Sequence, residues 1–69
     1  MFKSGMIVHI YAMPDNCTEY IGKAILIQKT FENSTIQLWI VKMLKDSKEL
    51  QQVFYTKNFN LYLSKKKGG

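Results

Sequence analysis

The sequence predicts an all-β chain folded as a small five-stranded half-open barrel, with a one-turn helix before the last strand. Three observations carry that prediction. Five short stretches rich in β-branched and aromatic residues alternate with polar, turn-forming residues. No stretch of about 11 residues or more carries a convincing helical repeat. The chain has 69 residues, enough for one core and too few for two.

The first strand is read over residues 6–13, Met-Ile-Val-His-Ile-Tyr-Ala-Met. Pro14, Asp15 and Asn16 stop it. Its two faces are Met6, Val8, Ile10 and Ala12 against Ile7, His9, Tyr11 and Met13. Residues 14–19 read as an irregular loop. Residues 20–31 are again strand-like, with Gly22 near the start admitting a bend or a close backbone approach. Glu32, Asn33 and Ser34 form a short turn, so residues 20–31 and 35–44 make a long hairpin. Residues 38–52 are the one contender for a helix, through Leu38, Val41, Leu44 and Leu50, but Trp39, Ile40 and Val53 blur that stripe. Residues 45–49, Lys-Asp-Ser-Lys-Glu, form the next turn, and Leu50 to Thr56 the fourth strand. Lys57 to Asn60 reads as a single helical or tight turn and Leu61 to Leu63 as the last strand. Residues 1–64 are expected to form the barrel, and residues 65–69 a disordered basic tail.

This order of features resembles that of SH3-like barrels. Gly5-Met6-Ile7-Val8 is similar to the Gly-x-x-Val opening of such domains. Pro14 to Tyr20 would be the long first loop, and Gly22-Lys23-Ala24-Ile25-Leu26 would open the second strand. Trp39-Ile40-Val41 would sit centrally in the third, and Asn58 to Leu61 would be the helical turn before the last. The chain also resembles the small single-domain SH3-like proteins common in bacteriophages and mobile elements. The resemblance covers about residues 5 to 63. It implies a binding module of phage type, such as an accessory or inhibitor protein. The acidic first loop and the Tyr pair of proline-ligand SH3 domains are missing, so no ligand residues carry over from them.

Composition narrows the function classes. Apolar residues make up 46% and charged residues 22% of the chain, a globular balance. A domain this small buries only about 60% of its unfolded surface, so its stability is marginal and a partner subunit would add core. One Cys permits no internal disulfide, and one His with one Cys leaves no zinc site built from those ligands. The lone thiol fits a reducing cytoplasm. The N-terminal residues have no apolar stretch of the secretory kind, and no run approaches the roughly 20 apolar residues of a membrane span. No cofactor or metal is implied. The net charge is +5, from ten lysines without arginine against five acids. Lys65, Lys66 and Lys67 carry three of those charges, so the remainder holds seven lysines against five acids, or +2. Arginine's bidentate fork, the usual reader of guanine and phosphate, is missing; non-specific phosphate attraction stays open.

Two sets of residues are candidates for function. If Ala24, Leu26, Trp39 and Val41 face inward, alternation turns Ile25, Ile27, Leu38 and Ile40 outward on two paired strands. Those four would form an exposed apolar patch, the mark of an interface with a protein partner or with a second copy. In the competing reading, the bent second strand feeds both sheets of a barrel and buries both faces. The other set interleaves lysine with aromatics: Lys23, Lys29, Lys42 and Lys57, the tail lysines Lys65, Lys66 and Lys67, and Tyr11, Tyr20, Tyr55 and Tyr62. Bases could stack on these rings while ammonium groups hold phosphates, although in a small barrel such rings also serve as core and rim. His9 and Cys17 are the sole nucleophile and base, with no evident third group to orient them. Asp15, Glu19, Asp46 and Glu49 sit in polar turns, where Asp is an expected turn former. The glycines, at 5, 22, 68 and 69, make no phosphate loop. The terminal Gly-Gly resembles that of the ubiquitin family in two residues alone. The chain therefore reads as non-catalytic: a protein-binding accessory module, with a non-specific nucleic-acid-binding barrel as the alternative.

Overall fold

Four antiparallel strands, β1 (Ile7–Met13), β2 (Thr18–Glu32), β3 (Ile36–Met43) and β4 (Glu49–Tyr55), form one sheet in the order β1-β2-β3-β4. A 3-10 turn (Thr56–Asn58) and a one-turn helix α1 (Phe59–Tyr62) follow. This computed structural model describes residues 2–63. The expected disordered tail with Lys65, Lys66 and Lys67 lies outside the described residues.

Strand β2 is long because it serves two neighbours. Its first half pairs with β1, from Met13↔Thr18 to Ile7↔Ile25, and its second half with β3, from Ala24↔Met43 to Glu32↔Gln37. Three register shifts bend it, at Ile10/Tyr11 against β1 and at Leu26/Gln28 and Lys29/Phe31 against β3. Extra residues of this kind increase local twist and curl a sheet around its core. Gly22 sits at the first shift with φ +156°, a backbone that L side chains rarely adopt. The β3–β4 register, by contrast, runs without a shift from Ile36↔Tyr55 to Lys42↔Glu49.

The inner face carries the core: Val8, Ile10, Ala24, Leu26, Trp39, Val41, Met43 and Phe54, with Phe2 and Tyr62 closing over it. Alternation explains β3 cleanly, since Gln37, Trp39, Val41 and Met43 are buried and the residues between are not. Phe2 fills the centre of an aromatic cluster. Its ring stacks on Phe59 at 4.4 Å and meets Phe54 edge-on at 5.0 Å. The segment behind it is tied to β2 by Gly5 N–H to the Leu26 carbonyl and Leu26 N–H to the Met6 carbonyl. Among the described residues one polar side chain is buried, Gln37, and both its amide atoms are bonded: Trp39 Nε1 donates to its Oε1 at 2.8 Å, and its Nε2 donates to Glu32 at 3.0 Å.

The expectation of a fifth strand needs correction. Leu61 and Tyr62 belong to α1, and the strand-like contact reduces to a single antiparallel bridge, Val8↔Leu63. Local hydrogen bonding wins there. The Leu63 N–H closes the helical turn on Phe59, and the Tyr62 side chain is drawn inward as an anchor. Tyr62 Oη donates to the Pro14 carbonyl at 2.6 Å and accepts the Tyr55 N–H at 3.0 Å. Burial pushes the phenol above its ordinary value, so it keeps the proton it donates at neutral pH. Asn58 Nδ2 adds bonds to the Pro14 and Asp15 carbonyls. The 3-10 turn and α1 thus clamp the β1–β2 turn.

The exposed end of the β2–β3 hairpin supplies a pH-dependent bond. Lys29 Nζ lies 2.6 Å from Glu32 Oε1, and this partner, with Gln37, holds the Glu32 carboxyl below its ordinary value. A carboxyl depressed in the folded state stabilises the fold above its unfolded pKa of about 4.3, and that contribution is lost as pH falls through the lower folded value. Urea midpoints of the unsubstituted chain and Glu32→Gln, measured from neutral to acid pH, should therefore converge below about pH 4. A gap constant across the series would contradict the pairing.

Candidate functional site

Strand alternation and the observed register turn one set of side chains away from the core. Cross-strand partners share a face, so the outer face can be read row by row. Ile7 lies beside Ile25, and Ile25 beside Lys42. Ile40 lies between Gln28 and Gln51, and Leu38 between Phe31 and Val53. Ile36 lies beside Tyr55.

All four apolar residues expected to face outward are outside the core. Ile25, Leu38 and Ile40 are half-buried, and Ile27 is 39% exposed. None is among the partly buried apolar residues that pack against the core, which are Met6, Tyr11, Cys17, Phe59 and Leu63. Ala24, Leu26, Trp39 and Val41 are each buried on the opposite face. The shift at Leu26/Gln28 leaves both Ile27 and Gln28 opposite Ile40, which keeps Ile27 with the outer set.

Sequence reasoning missed four apolar members of this face, Ile36 at its end among them. Phe31, 48% exposed, joins it because the second β3-side shift realigns it with Leu38. Val53 joins from β4 through its pairing with Leu38, and Ile7 from β1 through Ile25. Alternation in β1 and β4 gave a signal for Ile7 and Val53. The bulge that carries Phe31 has no signature in the sequence.

The lysine and tyrosine candidates do not gather into one groove. Lys23 stands opposite His9, and Lys42 stands between Ile25 and Glu49. Lys29 is engaged by Glu32, and Lys57 lies in the 3-10 turn. Tyr11 packs partly against the core, and its ring is 5.5 Å from Tyr20. Tyr20 Oη is 2.9 Å from His9 Nδ1. Tyr55 is across the sheet on β4, beside Ile36. Two of the tyrosines, Tyr11 and Tyr20, thus cluster with His9 on the strands that carry Lys23, and the other lysines are dispersed.

His9 and Cys17 are not brought together by a hydrogen bond. His9 meets Tyr20, and Cys17 Sγ is directed at the Pro14 carbonyl at 3.8 Å. Burial pushes the Cys17 thiol up, which keeps it protonated and weakly nucleophilic at neutral pH. Among the described residues, no three His, Cys, Asp or Glu side chains are grouped to hold a metal ion, and no helix is long and apolar enough to cross a membrane.

The arrangement places apolar side chains of all four strands on one face, interleaved with Gln28 and Gln51, with Lys42 and Glu49 at one end and Ile36 and Tyr55 at the other. No protein-family model matches the chain, nor does any curated protein or solved structure.

Proposed function

We propose that the chain is a non-catalytic binding module, an accessory or inhibitor protein of the phage or mobile-element type, that engages a protein partner through the outer face of β2 and β3. The supporting observation is the placement of Ile25, Ile27, Leu38 and Ile40 on neighbouring strands β2 and β3, outside the core cluster and only partly covered. Exposed apolar side chains grouped on one face are what a protein interface desolvates. In this reading the sheet is the main body of an SH3-like half-open barrel. Its support is the order of elements, the bent β2 shared by two neighbours, and the Val8↔Leu63 bridge that brings the residue after α1 alongside β1.

Against the alternative of a non-specific nucleic-acid-binding barrel stand the dispersal of the lysines and the engagement of Lys29 by Glu32. A salt series with a random labelled oligonucleotide tests that alternative. Phosphate contacts give an affinity that falls steeply with salt, by a slope of roughly 0.9 per contact on duplex DNA. The proposed reading predicts no such binding by the sheet.

The experiment for the proposed reading uses Ile25→Lys and Ile40→Lys. A lysine ammonium at the centre of a desolvated interface costs association about 2 kcal/mol or more, some 30-fold, as at other central interface positions. Retention of partner proteins on the immobilised chain should fall to background in both variants. Retention equal to that of the unsubstituted chain would remove the outer face from the interaction.

A further inference from the structure

The free edge of β4 is a second surface, distinct from the outer apolar face. Its backbone orientation follows from two hydrogen bonds. The Tyr55 N–H donates to Tyr62 Oη, so it points away from β3. The Thr56 N–H donates to the Thr35 carbonyl, so it points toward the β3 side. Backbone groups alternate in direction along a strand. Phe54, Gln52 and Leu50 therefore bond to β3, while Val53, Gln51 and Glu49 present their N–H and C=O groups to the open edge. Tyr55 has its N–H occupied by Tyr62, and the Val53 carbonyl accepts the adjacent Gln52 side chain at 3.3 Å, a local and replaceable partner. Among the described residues, no other hydrogen bond reaches these outward groups.

Proteins commonly guard such an edge with a proline, a lysine, a bulge or a covering segment. Strand β4 reads Glu-Leu-Gln-Gln-Val-Phe-Tyr, with neither proline nor lysine. Its register against β3 is the one in the sheet without an irregularity. The opposite edge of the sheet differs, because β1 is met by Leu63 at Val8.

We propose that the β4 edge pairs with β4 of a second copy of this chain, antiparallel about a two-fold axis near Gln52. The edge selects an extended strand, because only an extended strand supplies N–H and C=O groups at this alternation. A second β4 supplies the same alternation, so the contact is self-complementary and closes at two copies. The side chains agree with that choice. The middle of the strand is uncharged, at Gln51 and Gln52. Antiparallel pairing sets Glu49, the strand's one charged residue, toward the Lys57 end of the other copy and away from its own counterpart. The product is a continuous eight-stranded sheet in which the two outer apolar faces lie side by side. This inference does not depend on the proposed function, because it uses the strand's edge and not its face.

Two measurements on the full chain test it. Sedimentation should show the average mass rising toward twice that of the monomer as concentration is raised. Over the same range, amide exchange should slow at Gln51 and Val53. Gln52 and Phe54, already bonded to β3, should change little. Gln51→Pro removes only an outward N–H, a substitution tolerated on an edge strand, and should hold the mass at that of the monomer. A monomer at every concentration would overturn the proposal. So would dimers whose Gln51 and Val53 amides stay unprotected, a result that needs no variant to fold. Dimers that survive Gln51→Pro and vanish in Ile40→Lys would likewise overturn the edge and place self-association on the outer face.

Discussion

Phe54→Ala is expected to abolish the folded state at ambient temperature. The Phe54 side chain has no solvent exposure, and its ring meets Phe2 and Tyr62 edge-on, each at 5.0 Å. Truncating a buried Phe costs about 3–5 kcal/mol, from lost transfer energy and the cavity left behind. A single core in a chain of this size supplies roughly 3–5 kcal/mol of net stability, so the substitution consumes nearly all of it. Collapse around the cavity is restricted, because Phe2 is held by the Phe59 stack and Tyr62 by hydrogen bonds at both sides of its hydroxyl. Near-ultraviolet circular dichroism should lose its aromatic signal, and urea unfolding should lose its cooperative transition. Phe31→Ala is the matched comparison, since Phe31 is 48% exposed on the outer face; its stability should stay within about 0.5 kcal/mol of the parent. A Phe54→Ala chain that still unfolds cooperatively, with a loss below about 1.5 kcal/mol, would mean that the aromatic cluster is not the core.

Tyr62→Phe removes a single oxygen and should cost about 2 kcal/mol. That oxygen joins three segments. It donates to the Pro14 carbonyl in the β1–β2 turn, accepts the N–H of Tyr55 at the end of β4, and is carried by α1. The two losses are unequal. The Pro14 carbonyl keeps the Asn58 side-chain amide at 3.2 Å, whereas the half-buried Tyr55 N–H is left without a partner. A net hydrogen bond is worth about 1 kcal/mol, and an orphaned buried donor costs about 1–3 kcal/mol. Thermal unfolding should shift down by roughly 8–16 °C, at about 4–8 °C per kcal/mol for a domain of this size. An unchanged melting temperature would show that the clamp of α1 on the first turn contributes nothing.

Much of the sheet was legible because its signals are local. The alternation in residues 36–43 places Trp39 and Val41 inside and Leu38 and Ile40 outside, and β3 follows it along its length. The turns at Asn33 and Asp46 were legible through side chains that bond to the backbone two residues on, as Asn33 Oδ1 does to Thr35 N–H and Asp46 Oδ1 to Lys48 N–H. What stayed hidden depends on contacts distant in sequence. Phe2 enters the core only because Phe54, Phe59 and Tyr62 assemble around it. Gln37, polar and buried, is explained by Trp39 and Glu32 on either side of it. The four-residue α1 is too short to show a period, so Leu61 to Leu63 read as a strand. Cys17, Glu19 and Ser47 adopt left-handed backbone conformations without being glycine; tertiary structure sets those angles against local preference. The placement of Ile25, Ile27, Leu38 and Ile40 outside the core was legible from alternation. The extension of that face to Phe31 depends on a bulge that alternation alone cannot register.

The central claim is that the outer face of β2 and β3 is a surface available to a partner and not a second core. Thermal unfolding of Ile40→Lys, followed beside its association, tests this most directly. Ile40 lies between Gln28 and Gln51 and outside the core cluster, and a lysine there can extend its ammonium into water. The account predicts a stability within about 1 kcal/mol of the parent, together with loss of partner retention. Loss of the fold along with retention would show that Ile40 is buried in the working molecule and would contradict the claim.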